Sequence, residues 1–306
     1  MLQPVKFSKT LVAQIKLFVS IAIWGGSFIA TKMAVAEISP VAVIWSRFLI
    51  GLIILGWFAW RHGELSLPNR KDLLELAFLG FMGITLHQWL QSSGLVTSEA
   101  STTAWIVSTT PVFMALLGWL FLKERLGLQK IAGIILATLG VLFVVSKGDF
   151  GSIFSGGFGR PGDILILLSA PNWAIFSVMS QPALKKNSAI KVTFYVFLFG
   201  WLLTSIQFLS ANHWGEFCQL SAAGWASIIF LGLFCSAVAY IFYNDGLHAL
   251  SASQVGVFLY LEPLVATLVA AALLSEQIVL MTLLGGLLIL AGVWIVNRTP
   301  SPIMTE

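Results

Sequence analysis

Gly94-Leu95-Val96-Thr97-Ser98-Glu99-Ala100-Ser101 is answered 152 residues later by Gly246-Leu247-His248-Ala249-Leu250-Ser251-Ala252-Ser253, with Gly-Leu and Ala-Ser in the same places. The offset holds over residues 79–146 without a gap: Gly80 meets Gly232, Pro111 meets Pro263, Glu124 meets Glu276, Gly133 meets Gly285 and Gly140 meets Gly292. Upstream it becomes 149, so that Ser20 meets Ser169, Trp24 meets Trp173, Phe48 meets Phe197 and Gly51 meets Gly200. One small length change, between about 61 and 75, separates the two offsets. A duplicated and strongly apolar chain is the pattern of a transporter assembled from structural repeats.

Composition points the same way. Of 306 residues, 58% are hydrophobic and 10% charged, and the mean hydropathy is +0.92. A water-soluble domain carries roughly a quarter charged residues, so this chain has too little polar surface to face water. The net charge of +4 is dispersed over short loops and gives no nucleic-acid footprint. Two cysteines, Cys218 in a loop and Cys235 in a membrane helix, provide no disulfide framework. His62, His87, His213 and His248 are too scattered to hold a metal, and no cofactor motif is present. Ala34-Val35-Ala36 resembles a leader cleavage site, but Lys32 interrupts the apolar run, and cleavage would delete the helix that matches 162–183.

Ten apolar stretches of roughly the length that crosses ~30 Å of hydrocarbon are predicted: 14–35, 40–60, 73–95, 101–121, 128–146, 162–183, 191–211, 223–244, 253–274 and 277–296. Residues 14–146 then form a first five-helix repeat, 162–297 a second, and 147–161 a Gly-rich linker without a Walker lysine. With the N-terminus inside, the cytoplasmic segments collect most of the Lys and Arg, while Lys147 and Arg160 fall on the other side. Both termini are therefore expected in the cytoplasm. Five helices per repeat is an odd number, so the second repeat is expected to be inverted, with a substrate site near the midplane between the halves.

Trp24-Gly25-Gly26-Ser27-Phe28 with Lys32 in the first stretch and Arg47-Phe48 in the second resemble the EamA-type ten-helix permeases of the drug/metabolite transporter superfamily. The likeness continues through Pro111, Leu122-Lys123-Glu124-Arg125-Leu126 and Glu262-Pro263, over about 14–297. The resemblance implies two inverted five-helix repeats around a central cavity and export of amino acids or other small metabolites from the cell, across the inner membrane in a bacterium.

Several residues are candidates for that cavity. Trp24 and Trp173 lie at helix centres, away from the interfaces that tryptophans usually favour, and either line the cavity or fill the core between the repeats. Pro111 and Pro263 each free a backbone carbonyl four residues earlier, as alternating-access hinges or as static kinks. Glu262 is a mid-membrane carboxylate, expected either to carry a coupling proton or to pair with Arg47, which sits roughly 10 Å into its helix. His87 and Gln91 share a helix face beside Gln88, offering donors and acceptors or making ordinary interhelical contacts. Trp105, Thr109, Asn172 and Tyr260 extend the lining. Lys32 is expected to snorkel and Glu276 to favour the N-terminus of its own helix. Glycines 133, 140, 285 and 292 allow close packing, either with each other or in a homodimer.

The expected partners are a small-molecule substrate and the lipid bilayer, with no nucleic acid. The leading function is a secondary transporter. Its rivals are an intramembrane hydrolase using Ser27 with His87, which would need the two within hydrogen-bond reach, and a membrane receptor or scaffold.

Overall fold

The computed structural model describes residues 9–122, 127–149, 151, 159–243, 258 and 261–298. Among the described residues every regular element is helical. We number them α1 (Lys9–Val35), α2 (Pro40–Arg61), α3 (Arg70–Gly80, continuing to His87–Thr97), α4 (Ala100–Val107 and Thr110–Leu122) and α5 (Leu128–Ser146). They continue as α6 (Pro161–Lys186), α7 (Ala189–Ser210), α8 (from Ala222–Ile229 onward to residue 243), α9 (Leu261–Leu274) and α10 (Leu280–Arg298). Eight described helices are long and apolar enough to cross a membrane; Leu261–Leu274 and Leu280–Val296 are shorter apolar helices. The predicted span 253–274 is described only in part, because 244–257 and 259–260 lie outside the described residues.

Local chemistry sets the helix starts. Ser39 caps α2 by accepting the Ala42 N–H, with Pro40 at the first helical position, and its repeat mate Ser188 caps α7 through the Lys191 N–H. Large apolar side chains face outward: Trp60, Ile53, Ile206 and Leu268 are each 65% or 66% exposed. Buried Ser and Thr turn inward, as Ser20, Ser92, Thr103 and Ser236 do. An apolar exterior around a partly polar interior suits lipid as the solvent.

The close contacts come in matched pairs. α2 packs on α7 and α8, α3 on α6 and α7, α1 on α8 and α9, and α5 on α10. A Cβ on Gly80 would lie 2.7 Å from the Gly200 nitrogen, and one on Gly51 would lie 2.7 Å from Ser236 Cβ, beside Gly232. These are the same contact made once in each direction, since Gly80 is the mate of Gly232 and Gly51 the mate of Gly200. Likewise Gly133 meets Gly292 and Gly140 meets Gly285, each Cβ position lying 2.5–2.7 Å from the opposing carbonyl. The contact within the chain expected for these glycines is formed.

Two π-helical stretches go beyond the sequence expectation, whereas the break in α4 falls where Pro111 is expected to kink it. α3 passes through a π-helical stretch at Phe81–Leu86, and α8 through another at Phe230–Val238 that includes the repeat mates of the first. Such widened turns leave mispaired backbone groups and recur at functional sites. α4 is broken at Ser108–Thr109 ahead of Pro111. The Val107 carbonyl accepts the Thr110 hydroxyl at 2.7 Å, and the Ile106 carbonyl accepts both the N–H of Thr109 at 3.0 Å and its hydroxyl at 2.6 Å.

Candidate functional site

Arg47 is 6% exposed and forms the hub of the buried polar groups. Its Nη1–H donates to Gln88 Oε1 at 3.2 Å, and its Nε–H and Nη2–H donate to Ser236 Oγ at 3.4 Å each. The guanidinium also lies 5.0 Å from the Phe48 ring centroid. Gln88 follows the π-helical stretch of α3 and Ser236 lies within that of α8, so both irregular turns deliver a side chain to one arginine. The expected Arg47–Glu262 ion pair is not formed, and among the described residues no carboxylate pairs with Arg47. Sequence gives depth along a helix but not its rotation, and α2 turns Arg47 toward α3 and α8.

The two tryptophans flank this hub. The Trp24 ring packs against Tyr240 at 5.2 Å and Tyr243 at 4.9 Å, while its Nε1–H donates to the Cys235 carbonyl at 3.1 Å. Trp173 packs against His87 at 4.7 Å and Phe176 at 4.8 Å. His87 is buried, and its Nδ1 meets no hydrogen-bond partner among the described residues. Its neighbour Gln88 thus turns to Arg47 while His87 itself faces Trp173. Gln91 is half-buried, one turn beyond His87 on the same helix.

Glu262 lies in the first turn of α9, where α9 presses on α1 so closely that a Cβ on Gly25 would sit 2.8 Å from the Glu262 carbonyl oxygen. Among the described residues its carboxylate has no hydrogen bond or ion pair, and it is within electrostatic reach of Tyr243. Pro263 sits in that same first turn; Tyr260 lies outside the described residues.

Other candidates fall elsewhere. Trp105 is 1% exposed in the apolar cluster of α4, α5 and α10, with its ring against Gly286, away from Arg47. Thr109 serves the break in α4. Asn172 donates to the Met82 carbonyl at 2.9 Å, supporting the π-helical stretch of α3. No hydrogen bond joins Ser27 to His87 among the described residues, so the dyad of the hydrolase reading is not assembled.

At the α3–α4 end, charged groups bind helix termini. The half-buried Lys32 extends to the end of α3, where its Nζ donates to the carbonyls of Leu95 at 2.8 Å and Ser98 at 2.6 Å, a place that suits a cation. Glu276 caps α4 instead of α10, accepting from Ala100 N–H at 2.8 Å, Ser101 N–H at 3.1 Å and Ser101 Oγ–H at 2.6 Å. Lys147 and Arg160 close the same end on Glu99. Ser236, Tyr240 and Tyr243 were absent from the predicted site. The repeat offset pointed to the tyrosines, which are the mates of Gln88 and Gln91.

Comparison with known proteins agrees with this architecture. Two uncharacterized transporters of Archaeoglobus fulgidus are 29% identical over 280 residues and 30% identical over 297, covering 91% and 93% of this chain and 95% and 98% of their own. A probable terminal-alkyne amino-acid exporter of Streptantibioticus cattleyicolor is 27% identical over 282 residues, 92% of either chain. A solved crystal structure at 18% identity shares the fold, with a TM-score of 0.65 over 92% of this chain and 95% of that one. The EamA-like transporter family matches residues 11–146 and 160–298, nearly the whole chain. The protein therefore belongs to the EamA-like transporter family and is a multi-pass membrane transporter.

Proposed function

We propose that this chain is a secondary transporter that exports amino acids or related small metabolites across the plasma membrane by alternating access. Its ten helices act as two inverted repeats, 14–146 and 162–297, joined by the 147–161 linker, with both termini in the cytoplasm. The reciprocal glycine contacts support that symmetry, and the exporter relative supports the substrate class.

One observation carries the reading: Arg47, Gln88 and Ser236 come from α2, α3 and α8, elements of both halves, and meet through bonds of 3.2–3.4 Å. N–H···O bonds most often measure about 2.9–3.0 Å, so a small sliding of α8 against α3 breaks and remakes these. Substrate binds beside this hub between Trp24 and Trp173, near His87 and Gln91. Glu262 carries the coupling proton, and Pro111 and Pro263 are the hinges.

Counterflow tests this. Proteoliposomes preloaded with unlabelled L-amino acids should take up at least one labelled amino acid saturably, above protein-free vesicles. Uptake of none would remove the amino-acid assignment and direct the search to other small metabolites.

A further inference from the structure

Arg47 stands out in chemistry as well as in position. Its three hydrogen bonds among the described residues, at 3.2, 3.4 and 3.4 Å, all go to neutral oxygens. Charge-assisted bonds from a guanidinium to a carboxylate run at about 2.7–2.9 Å and are roughly twice as strong. Gln88 and Ser236 therefore steady the guanidinium without satisfying it as an anion would. Nη1 and Nη2 each carry a second N–H beyond these bonds, in the fork that matches the two oxygens of a carboxylate.

The surroundings narrow the ligand. Among the described residues no acid pairs with Arg47, so its unit charge is left for a single negative charge to balance. A dianionic phosphate would leave excess charge in an apolar bundle, whereas a monocarboxylate balances it. His87, within electrostatic reach of Arg47, adds a buried polar atom, its Nδ1, with no hydrogen-bond partner among the described residues. The flanking surfaces are aromatic: Trp24 with Tyr240 on one side, Trp173 on the other.

We propose that the Arg47 guanidinium, held by Gln88 and Ser236, is the receptor for the carboxylate of the transported molecule, which makes the substrate a monocarboxylate with an apolar or aromatic body. This rests on the transporter reading above and deepens it.

The test is binding to the purified full chain in detergent, with a panel of L-amino acids and of aliphatic and aromatic monocarboxylic acids such as phenylacetate. Each is paired with its uncharged carboxamide. At least one acid should bind roughly 10- to 100-fold more tightly than its amide, the loss expected for a charge-assisted hydrogen-bonded pair. In Arg47→Gln, acid and amide should bind alike. Arg47→Lys, which keeps the charge but not the fork, should recover part of the preference and serves if the glutamine variant does not fold. Equal binding of every acid and amide to the unaltered protein would overturn the proposal, as would a preference that survives in Arg47→Gln. Counterflow separates the two readings. Acid-over-amide binding without any amino-acid counterflow would sink the amino-acid assignment and leave the carboxylate receptor standing. Counterflow whose KM is unmoved in Arg47→Gln would do the reverse.

Discussion

Trp24 and Trp173 are repeat mates, each set against the helix that leaves a π-helical stretch, yet the two surroundings differ. Trp24 meets Tyr240 and Tyr243 and spends its N–H on the Cys235 carbonyl. Trp173 meets His87, and the residues matching the two tyrosines are Gln88 and Gln91. Arg47 reaches toward both sides, and its own mate is Val196. The duplication thus preserved a backbone device while the side chains divided the work. On one side Trp24 meets an aromatic wall, and on the other Trp173 meets the polar stretch of α3.

The sharpest way to break this comparison is to strip one polar group from each side. Gln88→Leu leaves a buried guanidinium N–H without its acceptor and should cost about 1–3 kcal/mol, with transport falling alongside. Tyr240→Phe keeps the ring contacts and should shift Tm little. Equal losses would mean that the halves are not specialised. Thermal unfolding in detergent with counterflow on the same preparations decides it.

Next in size is the cap on α4. Glu276→Ala removes three bonds to Ala100 and Ser101 and should lower stability by about 1–2 kcal/mol. Glu276→Gln should recover part of this, because an amide oxygen still accepts. A Tm unchanged in the alanine variant would refute the cap.

The tryptophans themselves come third. Trp24→Phe loses the bond to Cys235 and should cost about 1 kcal/mol. Trp173→Phe should leave Tm nearly unmoved while changing the KM for substrate, because no protein acceptor among the described residues takes its N–H. If Trp173→Phe proves the more destabilising of the two, the division of labour fails.

The smallest effect is a pH dependence confined to the Trp24 side. Glu216 holds the α1–α2 corner by accepting the Ser39 N–H at 2.7 Å and pairing with His213. Burial pushes its pKa up, but the Ser39 and His213 hydrogen bonds outweigh that and hold it below the ordinary 4.5. A carboxyl with a depressed folded value contributes stability above its unfolded value, and that contribution is lost as pH falls through the folded one. The Tm difference between the protein and Glu216→Gln should therefore shrink as pH falls below about 4.5. A difference that grew on acidification would contradict the assignment.

Much of the fold was legible because it lies in spacing. The offsets of 152 and 149 match Gly80 with Gly232 and Gly51 with Gly200, and the contacts are the crossed ones that this symmetry implies, Gly80 on Gly200 and Gly51 on the Gly232–Ser236 turn. The site was less legible because it depends on rotation about each helix axis. An extra residue in a π-helical turn rotates everything after it by roughly 100° at the helical repeat, and no residue type announces such a turn. Hence the pair with Glu262, one of the two readings open for that carboxylate, is not formed, and Arg47 is bonded to Gln88 and Ser236 instead. Glu276 was misassigned for a related reason: a carboxylate in a short turn can cap a neighbouring helix as readily as its own.

The most direct test of alternating access is labelling of a single cysteine at Gln91, with Cys218 and Cys235 replaced by serine and alanine. The account predicts that a membrane-impermeant thiol reagent modifies Gln91→Cys from either face of sealed vesicles, and that a translocated amino acid slows both reactions. Modification from one face only, with no effect of any transported compound, would contradict it.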